Sequence, residues 1–272
     1  MSEQRAHAEP APGEPTAAAR EPAAAARGPA PYEAVRQIAH TAGNRAAGLV
    51  LARHTADAVD VTKARTTDRN DPRFAKVDAD LSFSKYGWEA MGIMDKYKVR
   101  LVLTDEGAPA SFLPDFNRCI INLTRPSYEV AAYFVHEMHH AVQFHEGRSP
   151  AATTMGSDDW VKMMVKEEID GTQKGFLHKL SLERFGRAPE DDRPQGMSYF
   201  RGAYNHGKKK ALDQGLEGVA AGDAARANAY RMTEYLIADP TGKKQTTLGP
   251  NQLDSYQRYY QREWGRLNKP KP

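Results

Sequence analysis

Two hydrophobic periods divide the chain. In Val99-Arg100-Leu101-Val102-Leu103-Thr104 apolar and β-branched residues crowd into six positions, which predicts a strand. Asp105-Glu106-Gly107-Ala108-Pro109 breaks it, and Arg118 to Leu123 predicts a second strand. Further on the period lengthens: Val130, Phe134, Val135 and Val142 recur at helical spacing, which predicts a helix from about Tyr128 to Glu146. Arg125-Pro126-Ser127 ends the preceding strand and offers Ser127 as its N-cap. A second long helix is expected from about Asp159 to Phe185, and a shorter one over Trp88 to Lys96. Pro194-Gln195-Gly196 marks a turn, and helical stretches then continue through Tyr235. A Gly/Pro-bounded loop from Asp239 to Pro250 precedes an aromatic helix, Tyr256 to Trp264. A small mixed sheet beside long helices makes the expected class α+β, with a largely helical C-terminal half.

The N-terminal part has a different texture. Residues 1–30 hold eleven Ala and five Pro and no large apolar residue beyond Met1, so they are expected to be disordered. Over 31–56, Tyr32, Val35, Ile38, Ala42, Ala46, Leu49 and Val50 return at helical spacing, interrupted by Gly43-Asn44. Asp68 to Pro72 is a turn cluster, so a short helical region over 31–72 and a folded domain over 73–268 are expected.

Composition narrows the function classes. The 272 residues are 40% hydrophobic and 27% charged, ordinary for a globular chain with a sizeable core. No run of 18 apolar residues exists, so no membrane-spanning helix is expected. A net charge of +3 is too weak to indicate nucleic acid, and Lys208 to Lys210 reads as a short solvated run. One cysteine, Cys119, excludes an intramolecular disulfide, and its place in Arg118-Cys119-Ile120-Ile121 reads as a buried strand interior. The N-terminus shows no basic n-region followed by an apolar h-region, so synthesis without a secretory signal peptide is expected.

The chemistry concentrates in His136-Glu137-Met138-His139-His140, a match to H-E-x-x-H. On a helix, positions i and i+4 share one face, so His136 and His140 can both reach a Zn²⁺ at about 2.0–2.1 Å. Glu137 then stands beside the metal, where its carboxylate can take a proton from bound water. His139 is expected to point away from that pair, as a supporting or surface residue. A catalytic zinc needs a third protein ligand and an open position. The longer motif with Gly at 143 and His at 146 fails, because Gln143 and Glu146 stand there. The second long helix supplies carboxylates instead, and Glu168 is preferred. It shares a face with Trp160, Met164, Gly171 and Gly175, and the two glycines would let this helix approach the zinc helix closely. Glu167, Asp170 and His145 are the alternatives, and Asp170 is otherwise expected to orient a ligand histidine. Candidates for a donor to the developing oxyanion are Tyr204, His206, Tyr230, Tyr256, Tyr259 and Tyr260.

An H-E-x-x-H helix followed 28 residues later by a glutamate on a second helix resembles the gluzincin group of zinc peptidases, over roughly residues 80–185. Phe116 to Leu123 resembles the sheet-edge strand of that group, which precedes the active-site helix and pairs with extended substrate. The chain departs from the group's Glu-x-x-Ala-Asp pattern, since Gly171 and Thr172 follow Glu168. The resemblance implies a zincin-like fold, a protein or peptide substrate, and hydrolysis with Glu137 as general base. Separately, Ile38 to Leu51 resembles a short segment near the start of bacterial toxins associated with contractile injection systems. That implies a bacterial effector made in the cytoplasm, with the N-terminal region as a loading element for an injection-system partner. Two other readings fit the same motif: a zinc-dependent amidohydrolase acting on a non-peptide amide, and a non-catalytic interaction module stabilised by zinc.

Overall fold

The structure, a computed structural model, describes residues 66–105, 109–238 and 256–269. The expected disordered head, the helical region before residue 66 and the 239–250 loop therefore lie outside the described residues. Seven helices and three strands follow in order: α1 (Ala75–Leu81), α2 (Lys85–Tyr97), β1 (Arg100–Thr104), β2 (Ala110–Leu113), β3 (Arg118–Asn122), α3 (Ser127–His145), α4 (Ser157–Arg184), α5 (Met197–Asp213), α6 (Gly218–Ile237) and α7 (Tyr256–Leu267). The class is α+β with a small mixed sheet and mostly helical content. No described helix is long and apolar enough to cross a membrane.

The sheet order is β1-β3-β2, with β3 parallel to β1 and antiparallel to β2. This corrects the expectation for the strand at 116–123: it is the centre of the sheet, not its edge. The edge beside the H-E-x-x-H helix is β2, a four-residue strand that periodicity did not reveal. The central position of β3 explains why Cys119, Ile121 and their neighbours are almost wholly buried. Thr67, ahead of the expected boundary at 73, bridges to Leu101 of β1.

Helix α3 packs its apolar face on the sheet, where Val130, Phe134, Val135, Met138 and Ala141 join Phe112, Cys119 and Ile121 in one core. Pro126 stands at its N-cap position and Ser127 is its first helical residue, without a side-chain cap. The helix begins one residue earlier than the serine signal suggested, because proline's fixed φ already suits a helix start.

Helix α4, 28 residues and thus about 42 Å long, is the spine. One end meets α7 in a core built on Trp160, Met164, Tyr259 and Tyr260. The other end meets α5 and α6 through Phe176, Leu180, Phe200 and Ala229. The segment after α4 is pinned from inside: Lys179, fully buried, donates to Glu183 at 2.6 Å and to the Pro189 carbonyl at 2.6 Å. Arg201 adds two bonds to the same Glu183, at 2.7 and 2.8 Å.

Helix α2 is capped by Ser84, whose hydroxyl accepts from the Gly87 N–H at 3.1 Å and lies 2.6 Å from Nδ1 of His178 on α4. His178 is fully buried, and burial lowers its pKa to about 3. A histidine held neutral in this way binds fewer protons folded than unfolded. Its stabilising contribution is therefore complete above the unfolded value of 6.5 and declines as the pH falls from there toward 3. At pH 5 the loss amounts to about 2 kcal/mol relative to neutral pH. The unfolding free energy of wild type, minus that of His178→Gln, should shrink by about this amount between pH 7 and pH 5 in urea titrations. A pH-independent difference would show that His178 is not held neutral.

Candidate metal centre

The centre lies where α3 and α4 come closest. A Cβ placed on Gly175 would stand 2.6 Å from the Ala132 carbonyl oxygen, and one on Gly171 would stand 3.2 Å from Nδ1 of His136. A Cβ at Gly175 would clash with that carbonyl and one at Gly171 would crowd the ring, so glycine at both positions permits the close approach of α4 carboxylates to α3 imidazoles.

At that crossing the Nε2 atoms of His136 and His140 face each other at 2.8 Å. Glu168 closes the group, with Oε2 at 3.2 Å from His136 Nε2 and Oε1 at 3.5 Å from His140 Nε2. Burial alone would raise the Glu168 pKa, but the His140 and His136 imidazoles more than offset this and hold it well below the usual carboxylate range. The neighbouring Glu167 turns to the opposite side of the same ring: its Oε1 is 2.5 Å from His140 Nδ1, and its Oε2 accepts from Ser149 at 3.1 Å. A carboxylate only accepts, so Nδ1 of His140 carries a proton toward Glu167. Thr172 Oγ1 lies 3.3 Å from Nδ1 of His136 and orients the second ring.

Glu137 sits at the edge of this group. Its Oε2 accepts from the Phe112 N–H of β2 at 2.8 Å, and its Oε1 is 3.9 Å from His136 Nε2. His136, Glu137 and His140 together offer one ligand atom each within 4.8 Å, a group that could hold a metal ion. Glu168 Oε2 stands nearer to His136 Nε2, at 3.2 Å, than Glu137 Oε1 does, at 3.9 Å, so a second carboxylate lies against the same nitrogens. The donors suit a borderline-soft cation such as Zn²⁺, which takes imidazole nitrogen and carboxylate oxygen. Two nitrogens bound to tetrahedral zinc stand about 3.4 Å apart, a spacing the pair reaches by opening slightly.

Other expected roles fall elsewhere. Asp170 does not orient a histidine; it accepts from Lys166 at 2.8 Å and from Tyr230 at 2.9 Å, and Glu167 holds His140 instead. His145 is no third ligand: it stacks on Tyr97 at 4.5 Å and lies 2.9 Å from Asn117 Oδ1. His139 is buried rather than at the surface, and desolvation is the first cause lowering its pKa to about 2. Of the candidate oxyanion donors, Tyr260 reaches the centre, where its hydroxyl donates to Glu168 Oε1 at 2.5 Å. Tyr256 and Tyr259 pack around the Tyr260 ring, Tyr204 sits in the α5–α6 core, and His206 is exposed. The contributions of Phe112, Ser149 and Thr172 have no sequence signature, because a strand, a loop and a helix position are brought together only by tertiary packing.

No protein-family model, no curated protein and no solved structure matches the chain.

The glycine contact gives a paired test. Gly→Ala in a helix normally gains about 0.5–1 kcal/mol, as expected for Gly202 of α5, where an added Cβ meets nothing within 4 Å. At Gly175 overpacking against the Ala132 carbonyl reverses the sign, and Gly175→Ala should cost about 1–3 kcal/mol. Thermal melts should thus move in opposite directions for the two variants. A gain in both would mean that α3 and α4 are not in backbone contact.

Proposed function

We propose that this chain is a zinc-dependent metallopeptidase of zincin-like fold, with His136, His140 and Glu168 holding the ion and Glu137 as general base. The observation that carries it is the convergence, from two separate helices, of two imidazole nitrogens and one carboxylate, each oriented from behind by a second side chain. Coordination sites that bind metal commonly have such outer supports, and here Glu167, Thr172 and Tyr260 supply them.

When bound, the ion acts as a Lewis acid, polarising the scissile carbonyl and lowering the pKa of its water to about 7. The chain's own groups do the rest. The Phe112 N–H fixes one Glu137 oxygen, leaving the other on the side of the two histidines to accept the proton of the attacking water. The same carboxyl can then return that proton to the leaving amine. His136, with 11% of its side chain accessible, is the most open of the proposed ligands and marks the side from which substrate reaches the centre. An extended peptide would suit β2, an outer strand of the sheet among the described residues, which lies directly against Glu137. Delivery as a bacterial effector by an injection system belongs to the same proposal and rests on the resemblance of Ile38 to Leu51 alone.

Metal analysis and peptide hydrolysis test the reading together. Wild type should carry about one zinc per chain and cleave a mixed peptide library. His136→Ala should lose the zinc. Glu137→Gln should keep it and lose hydrolysis by about 10²–10⁴-fold. Folded wild type without affinity for zinc would overturn the proposal. Zinc binding with cleavage undiminished in Glu137→Gln would remove Glu137 from the chemistry.

A further inference from the structure

The phenol of Tyr260 is the most remote contributor to the centre, 92 residues beyond the carboxylate it touches. Its ring is 1% exposed and tightly held. Trp160 meets it edge-on at 5.6 Å, Tyr259 at 5.3 Å, and Tyr256 stacks at 6.1 Å. Trp160 is itself fixed by a bond from its indole nitrogen to the Pro150 carbonyl at 3.2 Å. Helix α7 is anchored to the same 150–155 segment by Trp264, which donates to the Met155 carbonyl at 3.3 Å, and by Asn268, which donates to that of Ala152 at 3.3 Å. Just before this segment, Ser149 supports Glu167.

We infer that Tyr260 is a positioning residue of the metal centre, acting through Glu168 and making the C-terminal helix part of the site; this rests on the zinc-centre reading above. The hydroxyl donates to Oε1, the carboxylate oxygen 3.5 Å from His140 Nε2. Oε2, at 3.2 Å from His136 Nε2, carries no bond from the phenol and is the oxygen nearer to a histidine nitrogen. A glutamate has three side-chain torsions, and one bond to a rigidly packed phenol removes most of that freedom before the ion arrives. The bond also engages one lone pair of Oε1, which favours one-oxygen over two-oxygen attachment at the ion and keeps the open position free. Tyr260 is therefore no oxyanion donor: its hydrogen is committed to Glu168.

The test is zinc affinity, measured by chelator competition on the full chain. Tyr260→Phe keeps the ring and its packing, and should weaken zinc binding by about 10–100-fold. Tyr259→Phe, altering the neighbouring ring of the same cluster, should change it less than about 2-fold. In a Glu168→Gln background the further change Tyr260→Phe should also be less than about 2-fold, because the two residues then no longer act as a pair. Cobalt-substituted Tyr260→Phe should show an altered visible spectrum if the carboxylate attaches differently. Equal zinc affinity in wild type and Tyr260→Phe would overturn the inference while leaving the zinc centre standing. So would a full additional loss in the Glu168→Gln background, which remains measurable even if Tyr260→Phe alone does not fold. Wild type without zinc affinity would overturn both.

Discussion

Everything at the candidate centre depends on how closely α3 and α4 approach. With hydrogen in place of a side chain at Gly171 and Gly175, the helices meet backbone to ring and backbone to carbonyl. Glu167 and Glu168 are both buried at this crossing, with their carboxylates held against the imidazoles. Sheet and α7 then act as flanking supports: β2 fixes Glu137 from one side, and Tyr260 fixes Glu168 from the other.

Electrostatics explains why such a site is worth building. Glu137, Glu167 and Glu168 are all buried, and burying a carboxylate is costly unless it is paired and hydrogen-bonded. Their described partners are two imidazoles, the hydroxyls of Ser149 and Tyr260, and one backbone N–H. That set gathers three carboxylates around two imidazoles, a local excess of negative charge that a cation would offset.

Much of this was legible in the sequence, and the gaps have physical reasons. The α3 histidine spacing follows from 3.6 residues per turn alone, and the shared face of Glu168 with Gly171 and Gly175 pointed to the close crossing. Strand β2 escaped notice because four residues beside a Gly/Pro turn carry too little periodicity. That omission also put β3 at the edge of the sheet when it lies in the centre. Glu167 rather than Asp170 supports His140, because the two positions, three residues apart, differ by about 60° in direction and sequence does not fix the rotation of α4 about its axis. Tyr260 stood among six candidate donors, and only tertiary packing separates it from the others.

The contacts of the centre also differ in how far along the chain they reach. Glu167 and His140 are 27 residues apart, whereas Tyr260 and Glu168 are 92 apart. Closing the longer loop costs about 1 kcal/mol more in chain entropy. The histidine–glutamate pairing thus relies on helices consecutive in sequence, while the orientation of the Glu168 carboxylate relies on a helix 92 residues further along.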